Sequence, residues 1–127
     1  MDVSLKVLIV DDLVNMRRVM KNILRSFGFR TIYEASDGKE ALALLETHEV
    51  GLIISDWNMP NMSGIEFLKA VRAQGNHTAT PFLMVTAEAT RDNIMEAIRC
   101  GVSNYVVKPF QADVVEAKLK SILDKAS

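Results

Sequence analysis

Short runs of β-branched and aliphatic residues recur at positions 5–10, 31–33, 52–55, 82–85 and 105–107, and this pattern predicts five strands. None alternates strictly between apolar and polar, which suits strands covered on both faces of a parallel sheet. Between the first two runs, Met16, Val19, Met20, Ile23, Leu24 and Phe27 follow a spacing of three and four, predicting an amphipathic helix that Gly28 stops. Similar stripes occur at Ala41, Leu42 and Leu45; at Phe67, Leu68 and Val71; at Ile94, Ala97 and Ile98; and at Val115, Leu119, Ile122 and Leu123. These give five helices, the last running almost to Ser127. Strand and helix therefore alternate, which predicts an open, doubly wound α/β sheet, because parallel neighbours need right-handed crossover connections. A closed eight-unit barrel would need about twice the length.

Composition narrows the class further. A chain of 127 residues that is 49% hydrophobic and 24% charged is sized and balanced for one folded domain, not for a disordered scaffold. Lys plus Arg number 15 against 16 for Asp plus Glu, so the net charge of -1 offers no cationic field for a nucleic acid. The single cysteine cannot close an intrachain disulfide, and the N-terminus lacks the basic segment and apolar core of a signal peptide. No apolar run approaches the ~20 residues of a membrane span. The expectation is a cytoplasmic monomer of one domain, residues 1–127, without linker, repeat or separate output domain.

In an open α/β sheet the ligand site lies at the carboxyl ends of the strands, near the point where strand order reverses. Strand one ends in Asp11 and Asp12, strand three in Asp56, strand four in Thr86, and strand five in Lys108 and Pro109. The second strand ends at Glu34 and Ala35, which places it at an edge. Three carboxylates in one cleft repel one another, so at least one pKa should rise unless a hard cation offsets the charge. Magnesium suits such a site, because it binds a few carboxylate oxygens and keeps waters that phosphate oxygens can replace. Aspartate is also a phosphoryl nucleophile, while a lysine ammonium and a threonine hydroxyl can each hold a phosphoryl oxygen. Asp56, Thr86 and Lys108 thus form a candidate phosphoryl site.

The segments Val10-Asp11-Asp12, Ile54-Ser55-Asp56-Trp57-Asn58-Met59-Pro60-Asn61-Met62, Met84-Val85-Thr86-Ala87-Glu88-Ala89 and Tyr105-Val106-Val107-Lys108-Pro109-Phe110 carry a resemblance. Across its whole length the chain resembles a receiver domain of bacterial two-component signalling, most closely the chemotaxis type. The resemblance implies a flavodoxin-like sheet of order 2-1-3-4-5, with Asp56 as phosphoacceptor. It implies magnesium on Asp12, Asp56 and the Asn58 carbonyl, with Asp11 holding the metal through water. It further implies a cis bond between Lys108 and Pro109, and a lifetime of the phosphoryl group tuned from Asn58 and Glu88. Thr86 would move toward the phosphoryl group and Tyr105 would rotate inward behind it. Ala89, Tyr105, Val107, Phe110 and Lys118 occupy positions like those that bind the flagellar motor switch protein; a histidine kinase would be the donor, and a phosphatase a further partner.

Two departures stand out. Ser63 replaces the family's usual Asp before Gly64, and Thr90 stands where the chemotaxis type often has Lys, with Gln111 nearby on the same rim. A non-flagellar output or a phosphate sink therefore stays open as an alternative. An aspartyl phosphatase of the haloacid dehalogenase type would need a second Asp where Asn58 stands, and a flavin carrier would not want an acidic first loop. Cys100 is expected to be a small buried residue and His48 and His77 loop residues, while Trp57 is a natural reporter beside Asp56.

Overall fold

The computed structural model describes residues 1–125. Five strands, β1 (Val7–Val10), β2 (Ile32–Ala35), β3 (Leu52–Asp56), β4 (Phe82–Thr86) and β5 (Asn104–Val107), alternate with five helices. The helices are α1 (Val14–Ser26), α2 (Gly38–Thr47), α3 (Gly64–Ala73), α4 (Arg91–Arg99) and α5 (Ala112–Lys125). The last helix is expected to run almost to Ser127; Ala126 and Ser127 lie outside the described residues. All four strand pairs are parallel and the sheet order is β2-β1-β3-β4-β5, as the resemblance implied.

The unbroken apolar runs now have their reason, since β1, β3 and β4 are buried along their whole length. Val7, Ile9, Leu52, Ile54, Leu83, Val85 and Val106 face one layer, with Met20 and Leu24 of α1 and Val115 and Leu119 of α5. Leu8, Val10, Ile53, Phe82 and Met84 face the other layer, packed on α2, α3 and α4 through Ala41, Phe67, Leu68, Val71 and Ala97. The sheet is thus covered on both sides. β2 runs on past the apolar run to Ala35, the end expected for it, because Glu34 keeps the ladder with Ile9 while its side chain reaches α1. Two stripe residues, Val19 and Ile98, lie exposed on their helices, and Cys100 is half-buried instead of enclosed. Among the described residues no helix is long and apolar enough to cross a membrane.

Helix ends follow local chemistry. Gly28, at φ 108°, ends α1 in a left-handed turn, with the Phe29 amide donating to the Leu24 carbonyl at 3.1 Å. Ser63 heads α3 in a reciprocal capping box with Glu66, so the departure from Asp is structurally neutral. Thr90, the other departure, caps α4 by accepting from the Asn93 amide. Arg72 on α3 ties the far end of the sheet together, donating to the carbonyls of Gly101 (2.9 Å), His77 (3.0 Å) and Thr80 (2.7 Å) above the Phe82 ring. Burial lowers its guanidinium pKa, yet it stays a cation that serves three carbonyls at once. Arg72→Leu should therefore cost about 2–3 kcal/mol in urea unfolding, since hydrogen bonds to a charged group exceed ordinary ones and three acceptors lose their donor.

Candidate functional site

Parallel pairing brings the predicted strand ends together. Val10 pairs with Ser55, so Asp11 and Asp56 follow side by side where β1 and β3 part, the switch point of the strand order. The ladder continues one residue past each strand: the Asp11 amide donates to the Ala35 carbonyl, Trp57 to Val85 and Lys108 to Thr86. One carboxylate oxygen from each of Asp11, Asp12 and Asp56 lies within 4.8 Å of the others, the only such acidic set among the described residues. Asp11 and Asp56 are buried; Asp12 is exposed at the rim.

Lys108 bridges the two buried acids, with Nζ 3.1 Å from Asp56 Oδ1 and 3.4 Å from Asp11 Oδ2. The bond that follows it, Lys108–Pro109, is cis. Burial and then the neighbouring Asp11 charge push the Asp56 carboxyl above its ordinary range, against the pull of Lys108. The residue predicted to be the nucleophile is thus one whose charged form the fold disfavours, through burial first and the Asp11 charge second. One ammonium faces three carboxylates here, an imbalance that a divalent hard cation would correct. All-oxygen donors with one open, exposed side match magnesium better than a soft metal.

Thr86 is 2% exposed, but its hydroxyl serves its own loop, donating to the Glu88 carbonyl at 2.9 Å and accepting from the Glu88 amide at 3.1 Å. Thr86 pairs with Val107, so Tyr105, two residues back on β5, shares its sheet face diagonally. Tyr105 is half-buried under Lys118, whose Nζ sits 4.9 Å above the ring. Ala89 and Val107 are exposed nearby, whereas Phe110 packs inward against the α1 and α5 layer.

The loop after Asp56 is fixed at two points. Gly64 returns so close that its amide donates to the Trp57 carbonyl at 2.7 Å. Asn61, at φ 67°, donates from Nδ2 to Asp37, the cap of α2, at 2.8 Å. Asn58 is exposed in this loop and Trp57 half-buried. Sequence reasoning overlooked one group, Arg17, which donates to the Asp11 carbonyl at 2.6 Å and pairs with Glu34 at 3.1 Å. Its signal was present: an Arg one turn into α1 with Lys21 four residues on, beside a lone acid at the edge strand.

Comparison with known proteins agrees with this geometry. The profile described as response regulator receiver domain matches residues 7–120. The chain is 49% identical over 123 residues to the chemotaxis protein CheY of Pseudomonas aeruginosa, covering 97% of this chain and 99% of that one. The solved structure of Vibrio cholerae chemotaxis protein CheY4 superposes with a TM-score of 0.88 at 38% identity, covering 94% of this chain and 98% of that one. The receiver domain of a Pseudomonas aeruginosa sensor histidine kinase, solved with magnesium coordinated in its active-site cleft, matches with a TM-score of 0.86 at 26% identity, covering 95% of this chain and 98% of that one.

Proposed function

Because the chain belongs to the response regulator receiver family and is homologous to CheY chemotaxis regulators, we propose that it is a cytoplasmic, phosphorylation-driven switch whose own surface is the output. The observation that carries this reading is Asp56, buried, 3.1 Å from Lys108 and grouped with Asp11 and Asp12. A carboxylate oxygen of Asp56 attacks the phosphorus of a kinase phosphohistidine. The P–O bond forms as the P–N bond breaks, and the leaving imidazole keeps the electron pair and takes up a proton. Magnesium, held by Asp12, Asp56 and the Asn58 carbonyl with Asp11 behind a water, would neutralise charge on the transferred oxygens. Lys108 pairs with one phosphoryl oxygen and Thr86 leaves Glu88 to donate to another. Asn58 carries a carboxamide, neither a general acid nor a general base at neutral pH, which favours a persistent acyl phosphate over rapid turnover.

The inward movement of Thr86 opens space on the sheet face it shares with Tyr105, and the signal passes to the surface of α4, β5 and α5. Met95, Ile98, Val107 and Val114 are exposed apolar residues on those elements, which supports a docking role for this surface. The flagellar motor switch protein is the partner we assign, with a histidine kinase as donor and a phosphatase as antagonist. Binding to the N-terminal peptide of a motor switch protein should tighten about tenfold with magnesium and beryllofluoride, a coupling of about 1.4 kcal/mol. Uptake of phosphoryl groups from acetyl phosphate without that gain would remove the motor and leave a switch for another output or a phosphate sink. No uptake would overturn the phosphoryl reading itself.

A further inference from the structure

Asp12 depends on its backbone for orientation. Among the described residues its exposed carboxylate has no hydrogen-bond or ion-pair partner, whereas every polar atom of Asp11 is engaged. The Asp11 amide bonds Ala35, Oδ1 accepts from the Leu13 amide at 2.9 Å, Oδ2 faces Lys108, and the carbonyl accepts from Arg17. That carbonyl belongs to the peptide plane joining Asp11 to Asp12, so whatever fixes it also fixes where the Asp12 amide and Cα sit, the base from which its side chain departs.

The clamp is itself braced. Leu13 gives α1 no side-chain cap, so the ordinary means of tying a helix start to its loop is missing. Arg17 supplies the tie, one arm on the Asp11 carbonyl and Nε on Glu34 Oε1, while Lys21 holds Glu34 Oε2 at 2.9 Å. Arg17 is 15% exposed, and the fork geometry of a guanidinium serves two acceptors in fixed directions, which an ammonium does not. We propose that Arg17, braced by Glu34, is a positioning residue that holds the Asp11–Asp12 peptide so that Asp12 faces the cation site. This rests on the reading of Asp11, Asp12 and Asp56 as a magnesium site.

Positioning and simple electrostatics predict opposite signs. Removing a cation beside three carboxylates should strengthen metal binding by charge alone; removing the clamp should weaken it. Magnesium chloride would be titrated against the full chain, following Trp57 fluorescence and, separately, the shift in melting temperature. Arg17→Met should bind magnesium roughly tenfold more weakly, the usual scale for losing a group that orients a metal ligand, with Arg17→Lys in between. Magnesium binding by Arg17→Met as tight as wild type, or tighter, overturns the proposal. Should far-UV circular dichroism show Arg17→Met unfolded, Arg17→Lys decides, and affinity equal to wild type overturns it. A wild-type chain without any magnesium response in either measurement would instead sink the site reading, so the two failures are distinguishable.

Discussion

Asp56→Asn is expected to abolish phosphoryl uptake from acetyl phosphate, leaving no mass gain in intact-protein mass spectrometry, and at the same time to stabilise the metal-free fold at neutral pH. The first effect follows because among the described residues no other carboxylate combines burial, contact with Lys108 and a place at the end of β3. The second follows from the sign of the Asp56 shift. Burial and the Asp11 charge raise its pKa in the fold, so the fold favours the protonated form. That contribution to stability is complete below the unfolded-state pKa and is lost as pH rises through the folded-state value. At neutral pH the wild type therefore carries an unfavourable charge that Asn removes. The melting temperature of Asp56→Asn should exceed that of wild type at about pH 7, with the gap closing near pH 3, where Asp is protonated in both states. Magnesium should reverse the order at neutral pH, since a ligand at ten times its Kd adds about 1.4 kcal/mol to the protein that binds it. A variant that still gains phosphate, or that melts below wild type without metal at neutral pH, would contradict the assignment.

Gly64→Ala should be the most damaging small substitution near the site. A Cβ there would collide with the Asp56 carbonyl oxygen and lie 2.9 Å from the Trp57 Cα, both backbone atoms that cannot turn away, and 3.0 Å from Met84 Sδ. Alanine in a helix normally gains up to about 1 kcal/mol over glycine. Here the clash wins: the expected loss is about 3 kcal/mol, at the upper end for overpacking, or ~10 °C in melting temperature. Because the displaced backbone is that of Asp56 itself, phosphoryl uptake at a temperature where the variant remains folded should fall as well. Urea unfolding measures the first effect and the initial rate of mass gain the second. A variant as stable as wild type would mean that the loop after β3 yields more readily than its contacts imply.

β1, β3 and β4 were legible because burial on both faces leaves unbroken apolar runs, and Asp11, Asp12, Asp56, Thr86 and Lys108 because each stands at the end of a strand. In β2 only the apolar part, up to Tyr33, stands out by composition. An edge strand has one ladder partner and a polar side, so Glu34 breaks the apolar run although it belongs to the sheet and to the α1 ion pairs. Helical stripes marked the elements but not their depth: Val19 and Ile98 fall on the spacing yet lie outside the packed arc. The strand order itself, set by contacts far apart in sequence, came from resemblance and not from pattern. Least visible were contacts with no periodicity, such as Arg17 on a carbonyl, Asn61 on Asp37 and the Thr86 hydroxyl on Glu88.

That last contact has a meaning for signal and background. In the proposed switch, the unphosphorylated molecule becomes active-like only when Thr86 gives up both bonds to the Glu88 backbone. At about 1 kcal/mol net for each bond, release costs about 2 kcal/mol, which leaves roughly 3% of molecules released at any moment. A cell that silences its kinase would still hear that fraction. The quietest state of the pathway would then be set by two hydrogen bonds within a three-residue turn, and its useful range by how far phosphorylation lifts the population above that floor.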